Sequence, residues 1–244
     1  MLKAIVITGA AEHFIGICLE RIRQQFHSDW SCQVVVDPIC QKTVDMAKSF
    51  QSQNISVHIN QDRGYALSNT IKAIEMLEPN DDDIIMTIDG DDWLQSLEAF
   101  NIVEKAYKDN PDLLLTHGSW VSWPIELPEH NNMPYTKEDF ECNIRKTPWR
   151  ASQLRTFKYK LWKHVKDEDL RDGEGNYFTS AGDCAYMWPM MEMAGYDRIR
   201  FIPDKIYTYN VANPFSDFRT KLNFQMYFTD YIAAKPQYKI RDTF

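Results

Sequence analysis

No stretch of the 244-residue chain approaches the roughly 20 consecutive apolar residues that a membrane-spanning helix requires, and the opening run MLKAIVITGAAEHF is soon broken by polar residues. A transmembrane segment, a signal peptide and an anchor are disfavoured, and the chain reads as cytoplasmic. The five cysteines, Cys18, Cys32, Cys40, Cys142 and Cys184, form no CxxC pair, so neither a disulfide framework nor a cysteine zinc site is suggested. Positive charge is also short. With 27 Lys and Arg against 35 Asp and Glu, the formal charge is −8; no overall field draws in a nucleic-acid backbone, and nucleic acid is not an expected partner. Repeats, low-complexity tracts and flexible linkers are missing too, so residues 1–244 read as a single domain.

What is present is an alternation. Apolar runs at Leu2–Thr8, Cys32–Asp37, Ile55–Ile59, Asp83–Ile88 and Leu113–His117 are separated by helical patterns near 13–27, 41–52, 64–78 and 94–109. This predicts an α/β fold with a parallel sheet flanked by helices. Four strands end in Thr8-Gly9-Ala10, Asp37-Pro38, Asn60-Gln61-Asp62 and Asp89-Gly90-Asp91. In open parallel sheets ligands bind beyond the carboxyl ends of the strands, so these ends are expected to share one crevice; turn and N-cap chemistry is the plainer use of the same residues. Beyond 117 the texture changes: 118–133, with Trp120, Trp123, Pro124, Pro128 and His130, reads as a loop. Helices are then predicted at 136–142, 151–165 and 180–195, a strand at Arg200–Tyr207 and a last helix near 217–232. Residues 1–117 form a nucleotide half and 118–244 a substrate, acceptor-side half.

The strongest chemical signal is the apolar strand Ile84-Ile85-Met86-Thr87-Ile88 running straight into Asp89, Asp91 and Asp92. Three like charges crowded at a strand end are unfavourable without a cation among them. Hard oxygen donors with no nearby His or Cys pair favour Mn²⁺ or Mg²⁺ over zinc, and such ions are usually shared with substrate phosphates. A metal-bound diphosphate is therefore expected; the rival reading has Asp91 or Asp92 capping the next helix. The basic stretch Arg145, Lys146, Arg150, Arg155, Lys158 and Lys160 suits a phosphorylated ligand, and Arg150 and Arg155, five apart, suit the leaving diphosphate, with a solvated helix face as the plainer alternative. Asp81-Asp82-Asp83 reads as a solvated loop.

Asp89-Gly90-Asp91 resembles the DxD signature of the GT-A nucleotide-sugar glycosyltransferases, specifically glycosyltransferase family 2. Ala4-Ile5-Val6-Ile7-Thr8 and its turn look like that family's first nucleotide-binding turn, with Thr8 and Ala10 near the base. Val34-Val35-Val36-Asp37 is similar to its second strand, whose terminal Asp contacts uracil or ribose. Asn60 to Asn69, including Arg63, resembles the segment leading into the helix beside the donor. The chain departs from the family's Pro-x-Tyr-Asn and Asp-Asp-Gly-Ser turns, having Thr8-Gly9-Ala10-Ala11 and Asp37-Pro38-Ile39-Cys40. A bacterial and large-DNA-virus subgroup is resembled at Arg155-Thr156-Phe157-Lys158-Tyr159-Lys160, Asp172 to Asn176, Gly182-Asp183 and Tyr207 to Pro214, so the likeness runs from about residue 3 to about 217.

The resemblance implies a GT-A, Rossmann-like fold with Asp89 facing ribose and metal and Asp91 on the metal. It also implies inverting transfer from a nucleoside-diphosphate sugar, with a UDP-sugar expected, to a glycan hydroxyl. Such a transfer needs a general base. Asp183, at the start of an otherwise apolar helix pattern, matches the family's acid-Asp pair with Gly182 in place of the first acid; a helix-start residue favoured by the dipole is the plainer alternative. Glu192 reads as structural. Tyr186, Trp188, Trp120 and Trp123 are candidates for stacking on sugar, with core packing the commoner fate. His117 and His130 are the histidines best placed to join a metal site. Asn210 and Asn213 either order a loop over the donor or cap turns. Two rival functions stand beside this one. A sugar nucleotidyltransferase would carry a basic Gly-rich loop after the first strand, which Thr8-Gly9-Ala10-Ala11-Glu12-His13 lacks; a catalytically silent sugar-binding module would have no use for Asp89, Asp91 and Asp183 together.

Overall fold

The computed structural model describes residues 1–128, 132–215 and 222–244. Its centre is an eight-stranded sheet in the order β3-β2-β1-β4-β7-β6-β8-β5. The first strands follow the apolar runs: β1 (Leu2–Thr8), β2 (Trp30–Val36), β3 (Ile55–Ile59) and β4 (Ile84–Asp89) lie parallel. Helices α1 (Ile15–Arg23), α2 (Gln41–Lys48) and α3 (Tyr65–Leu77) connect them. Both faces of β1 are buried, which explains its continuous hydrophobic sequence. Ala4 and Val6 join one core with α1 and α2, while Ile5 joins a second with Leu67, Ala73 and Ile74 of α3.

A two-residue strand, β5 (Trp93–Leu94), precedes α4 (Ala99–Asp109). The second half departs from the sequence reading at two places. The stretch expected as a loop from 118 is the continuation of β6 (Leu115–Trp123), which pairs in parallel with β8 (Ile199–Asn210). The helix expected over 151–165 is replaced by a strand and a short helix: β7 (Arg155–Lys158) runs antiparallel between β4 and β6, and only Tyr159–Trp162 (α6) is helical. Thr156 shows why. Its Oγ1 meets Thr116 Oγ1 at 2.6 Å and Tyr107 Oη at 2.8 Å inside the sheet, partners that only the tertiary structure supplies.

A short helix, α5 (Lys137–Glu141), is closed by a capping box between Thr136 and Asp139. The core helix α7 (Gly182–Ala194) follows as expected, and α8 (Leu222–Ala233) is the last. The predicted start of α8 at 217 and His130 lie outside the described residues. Among the described residues no helix is long and apolar enough to cross a membrane.

Candidate functional site

The carboxyl ends of β1, β2 and β4 open into one crevice of about 1280 Å³. Thr8, Ala10, Asp37, Arg63, Asp89, Asp91, Arg155 and Asp183 all line it, so the structure brings these eight candidates together.

Asp37, at the end of β2, is 4% exposed and serves as a hub. Its Oδ1 accepts from Asn60 Nδ2 (2.8 Å), Asn69 Nδ2 (2.9 Å) and the Gly64 amide (2.8 Å), and its Oδ2 from the Tyr65 amide (3.1 Å). These bonds hold the turn that opens α3. They also account for the Asn60-to-Asn69 spacing, because both asparagines bond the same oxygen. Arg63 lies exposed at the rim, its guanidinium 4.4 Å from the centroid of the Tyr65 ring.

At the end of β4 the backbone passes Thr8 so closely that a Cβ on Gly90 would stand 2.4 Å from Thr8 Cβ; only glycine fits between the two aspartates. Asp89 Oδ2 accepts from Gln153 Nε2 at 2.7 Å, and Asp91 Oδ2 from Asn213 Nδ2 at 2.8 Å. Asn210 Nδ2 donates to the Asp91 carbonyl. Asn210 and Asn213 therefore brace the acidic turn. Asp92 sits at the deep wall of the crevice. It is 1% exposed and accepts from Tyr207 Oη (2.8 Å) and the Asn210 amide (2.7 Å). It caps no helix. Burial, reinforced by the Asp91 and Asp89 charges, pushes its carboxyl well above the usual range, and burial likewise raises Tyr207, which stays a hydrogen-bond donor.

Asp183 stands in the first turn of α7, its Oδ2 accepting from Arg155 Nη2 at 2.7 Å and its Oδ1 from the Cys184 amide at 3.0 Å. Burial works against the Arg155 charge, but the Asp183 carboxylate together with Tyr186, Asp89 and Tyr207 outweighs it, and the guanidinium is held more firmly protonated than usual. Gly182 has a packing reason: a Cβ there would meet Leu67 Cβ at 2.8 Å, so the acid of the family pattern has no room where α7 meets α3.

The other candidates separate. Of the basic stretch only Arg155 lines the crevice. Arg145 is buried against Glu192, Arg150 binds Asp139, and Lys158 and Lys160 lie near Asp82. Tyr186 and Trp188 are core residues, 4% and 3% exposed, and only Trp120 of the four aromatics lines the crevice. His117 is buried away from the acidic turn in a second, smaller cavity. Among the described residues no group of three or more His, Cys, Asp or Glu side chains is arranged to hold a metal ion. Sequence reasoning missed Trp149 and the inner side of α8, where Gln225, Thr229 and Asp230 line the crevice. It also missed Gln153 as a partner of Asp89. Among the described residues, three buried polar atoms of the crevice lack a partner: Thr8 Oγ1, Gln153 Oε1 and Gln225 Oε1.

A mostly parallel sheet that delivers carboxylates to the carboxyl ends of its strands is a GT-A architecture. The chain belongs to glycosyl transferase family 2, whose model matches residues 4–165. No curated protein sequence matches it. Among solved structures, S. aureus TarS 1-349 in complex with UDP-GlcNAc shares 16% identity at a TM-score of 0.62, over 86% of this chain and 58% of that one. The TarS 1-349 complex with UDP gives 18% and 0.63, over 96% and 64%. Mannosyl-3-phosphoglycerate synthase from Rubrobacter xylanophilus gives 12% and 0.65, over 96% and 72%. These likenesses are of fold, and the chain spans under two thirds of either TarS structure.

Proposed function

We propose that the protein is a metal-dependent, inverting glycosyltransferase that moves a sugar from a UDP-sugar to a hydroxyl of a glycan acceptor. The observation that carries this is the convergence of Asp89, Asp91, Arg155 and Asp183 on one crevice. The shared fold with TarS, whose structures hold UDP and UDP-GlcNAc, supports a uridine donor.

Asp89 and Asp91 fit a divalent ion of the Mn²⁺ or Mg²⁺ kind. Both offer hard carboxylate oxygens, and among the described residues no group of three or more such ligands is gathered there, so phosphate oxygens and water would complete the set. Bound there, the ion supplies neutralisation of the leaving diphosphate. Thr8 and Ala10 face the nucleotide from the first turn, the Asp37 hub shapes the floor beneath it, and Arg63 reaches it from the rim. Asp183 takes the proton of the acceptor hydroxyl. Oδ2 accepts from Arg155 and Oδ1 from the Cys184 amide, and a carboxylate oxygen has two acceptor sites, so a hydroxyl can bind without displacing Arg155. Arg155 fixes the carboxylate's orientation and adds positive charge beside Asp89.

Release of UDP from UDP-sugars, with and without glycan acceptors, tests this reading on the wild type and Asp183→Asn. Loss of the base is expected to lower acceptor-dependent turnover by at least about 100-fold while UDP affinity stays within about 3-fold. Unchanged transfer by Asp183→Asn would remove Asp183 from the chemistry.

A further inference from the structure

Gln153 is 3% exposed and precedes Arg155 by two residues on the segment entering β7. Its Nε2 donates to Asp89 Oδ2 at 2.7 Å. A carboxylate only accepts, so this bond decides which end of the amide faces Asp89. The carbonyl end, Oε1, is buried with no hydrogen-bond partner among the described residues, an expensive condition for a strong acceptor, and Gln153 lines the crevice. One short segment thus reaches both functional carboxylates: Gln153 touches Asp89, and Arg155 touches Asp183.

We propose that Gln153 determines donor specificity, its Oε1 accepting a hydrogen bond from one hydroxyl of the sugar being transferred. This rests on the site being a nucleotide-sugar site. In an inverting transfer the sugar ring lies between the leaving diphosphate and the base, and a group reached from between Asp89 and Asp183 borders that ring. A pyranose presents hydroxyl donors along its edge, and a buried amide carbonyl discriminates strongly against an analogue that lacks the one it binds. The Nε2 bond to Asp89 makes the discrimination rigid, because the amide cannot turn over without setting its oxygen against a carboxylate. Of the other orphaned atoms of the crevice, the Thr8 hydroxyl lies on the first strand's turn and Gln225 Oε1 on α8, and neither side chain is bonded to Asp89 as Gln153 is.

The test compares wild type with Gln153→Met, which has similar length and no hydrogen-bonding amide. Calorimetry with UDP and Mn²⁺ measures nucleotide binding. UDP release is then followed from UDP-glucose, UDP-galactose and UDP-N-acetylglucosamine, and from the monodeoxy analogues of whichever is turned over. The wild type is expected to disfavour one deoxy analogue by at least about 10-fold in kcat/KM. Gln153→Met is expected to shrink that ratio to about 2-fold or less, with UDP affinity within about 3-fold of wild type. Wild-type indifference to every deoxygenation overturns the proposal without recourse to the variant. So does undiminished discrimination in Gln153→Met, or loss of Mn²⁺-dependent UDP affinity in parallel with turnover, which makes Gln153 a metal-side group acting through its bond to Asp89. A wild type that binds no nucleotide overturns the reading of the site itself, and this inference with it.

Discussion

His117 stands 1% exposed between Tyr135 and Phe201, with ring centroids 5.4 and 5.2 Å away, and its Nδ1 has no partner. Burial pushes its imidazole from 6.5 down to about 4, and the Arg150 and Arg155 charges push the same way, against a backbone bond to Arg150. The folded chain therefore holds His117 neutral in a range where the unfolded chain protonates it. Stability is full above pH 6.5 and is lost as the pH falls toward 4, by about 2 kcal/mol at pH 5. Urea denaturation at pH 7 and pH 5 measures this, and His117→Phe should flatten the difference. An equal pH dependence in that variant would assign it to other groups. The residues that carry charge in the site were legible in the sequence because carboxylates in runs or at helix starts stand out by type. Gln153 and Tyr207 were not, since an amide or a phenol acquires its meaning from an aspartate 64 or 115 residues away.

Between elements, the strongest polar link of the second half is Arg145 with Glu192. The pair is bidentate at 2.6 and 2.7 Å, with side chains 1% and 5% exposed, and Arg145 also donates to the carbonyls of Ile232 and Lys235 while Glu192 accepts from the Tyr238 amide. It ties α7 to the end of α8 and the tail after it. Glu192→Gln leaves a buried guanidinium without its countercharge and is expected to cost about 3–5 kcal/mol in denaturant unfolding; a cost under about 1 kcal/mol would show that the tail contributes little to the fold. The strands β1, β2 and β4 could be drawn from the sequence because each is buried on both faces and so reads as a largely apolar run, and the edge strand β3 because its Ile55, Val57 and Ile59 alternate. β7 could not, since Arg155-Thr156-Phe157-Lys158 has no strong period of its own and becomes strand by pairing with β4 and β6. The extension of β6 to Trp123 likewise comes from its pairing with β8.

Across the whole molecule, the insertion of β7 between β4 and β6 is what brings the acidic turn and the base candidate within reach of one segment. The sequence supplied the two carboxylate groups; the sheet order supplies their meeting. The formal charge of −8 is no obstacle to an anionic donor, because Arg155 places positive charge locally in the crevice. The central claim is that Asp89 and Asp91 hold a divalent ion together with a nucleoside diphosphate, and calorimetric titration of UDP into the protein with Mn²⁺, with EDTA, and with Asp91→Ala addresses it directly. Binding that requires Mn²⁺ and falls by at least about 10-fold in Asp91→Ala is the predicted result. Equal binding in EDTA, or full affinity in the variant, would contradict it and return the acidic turn to a purely structural role.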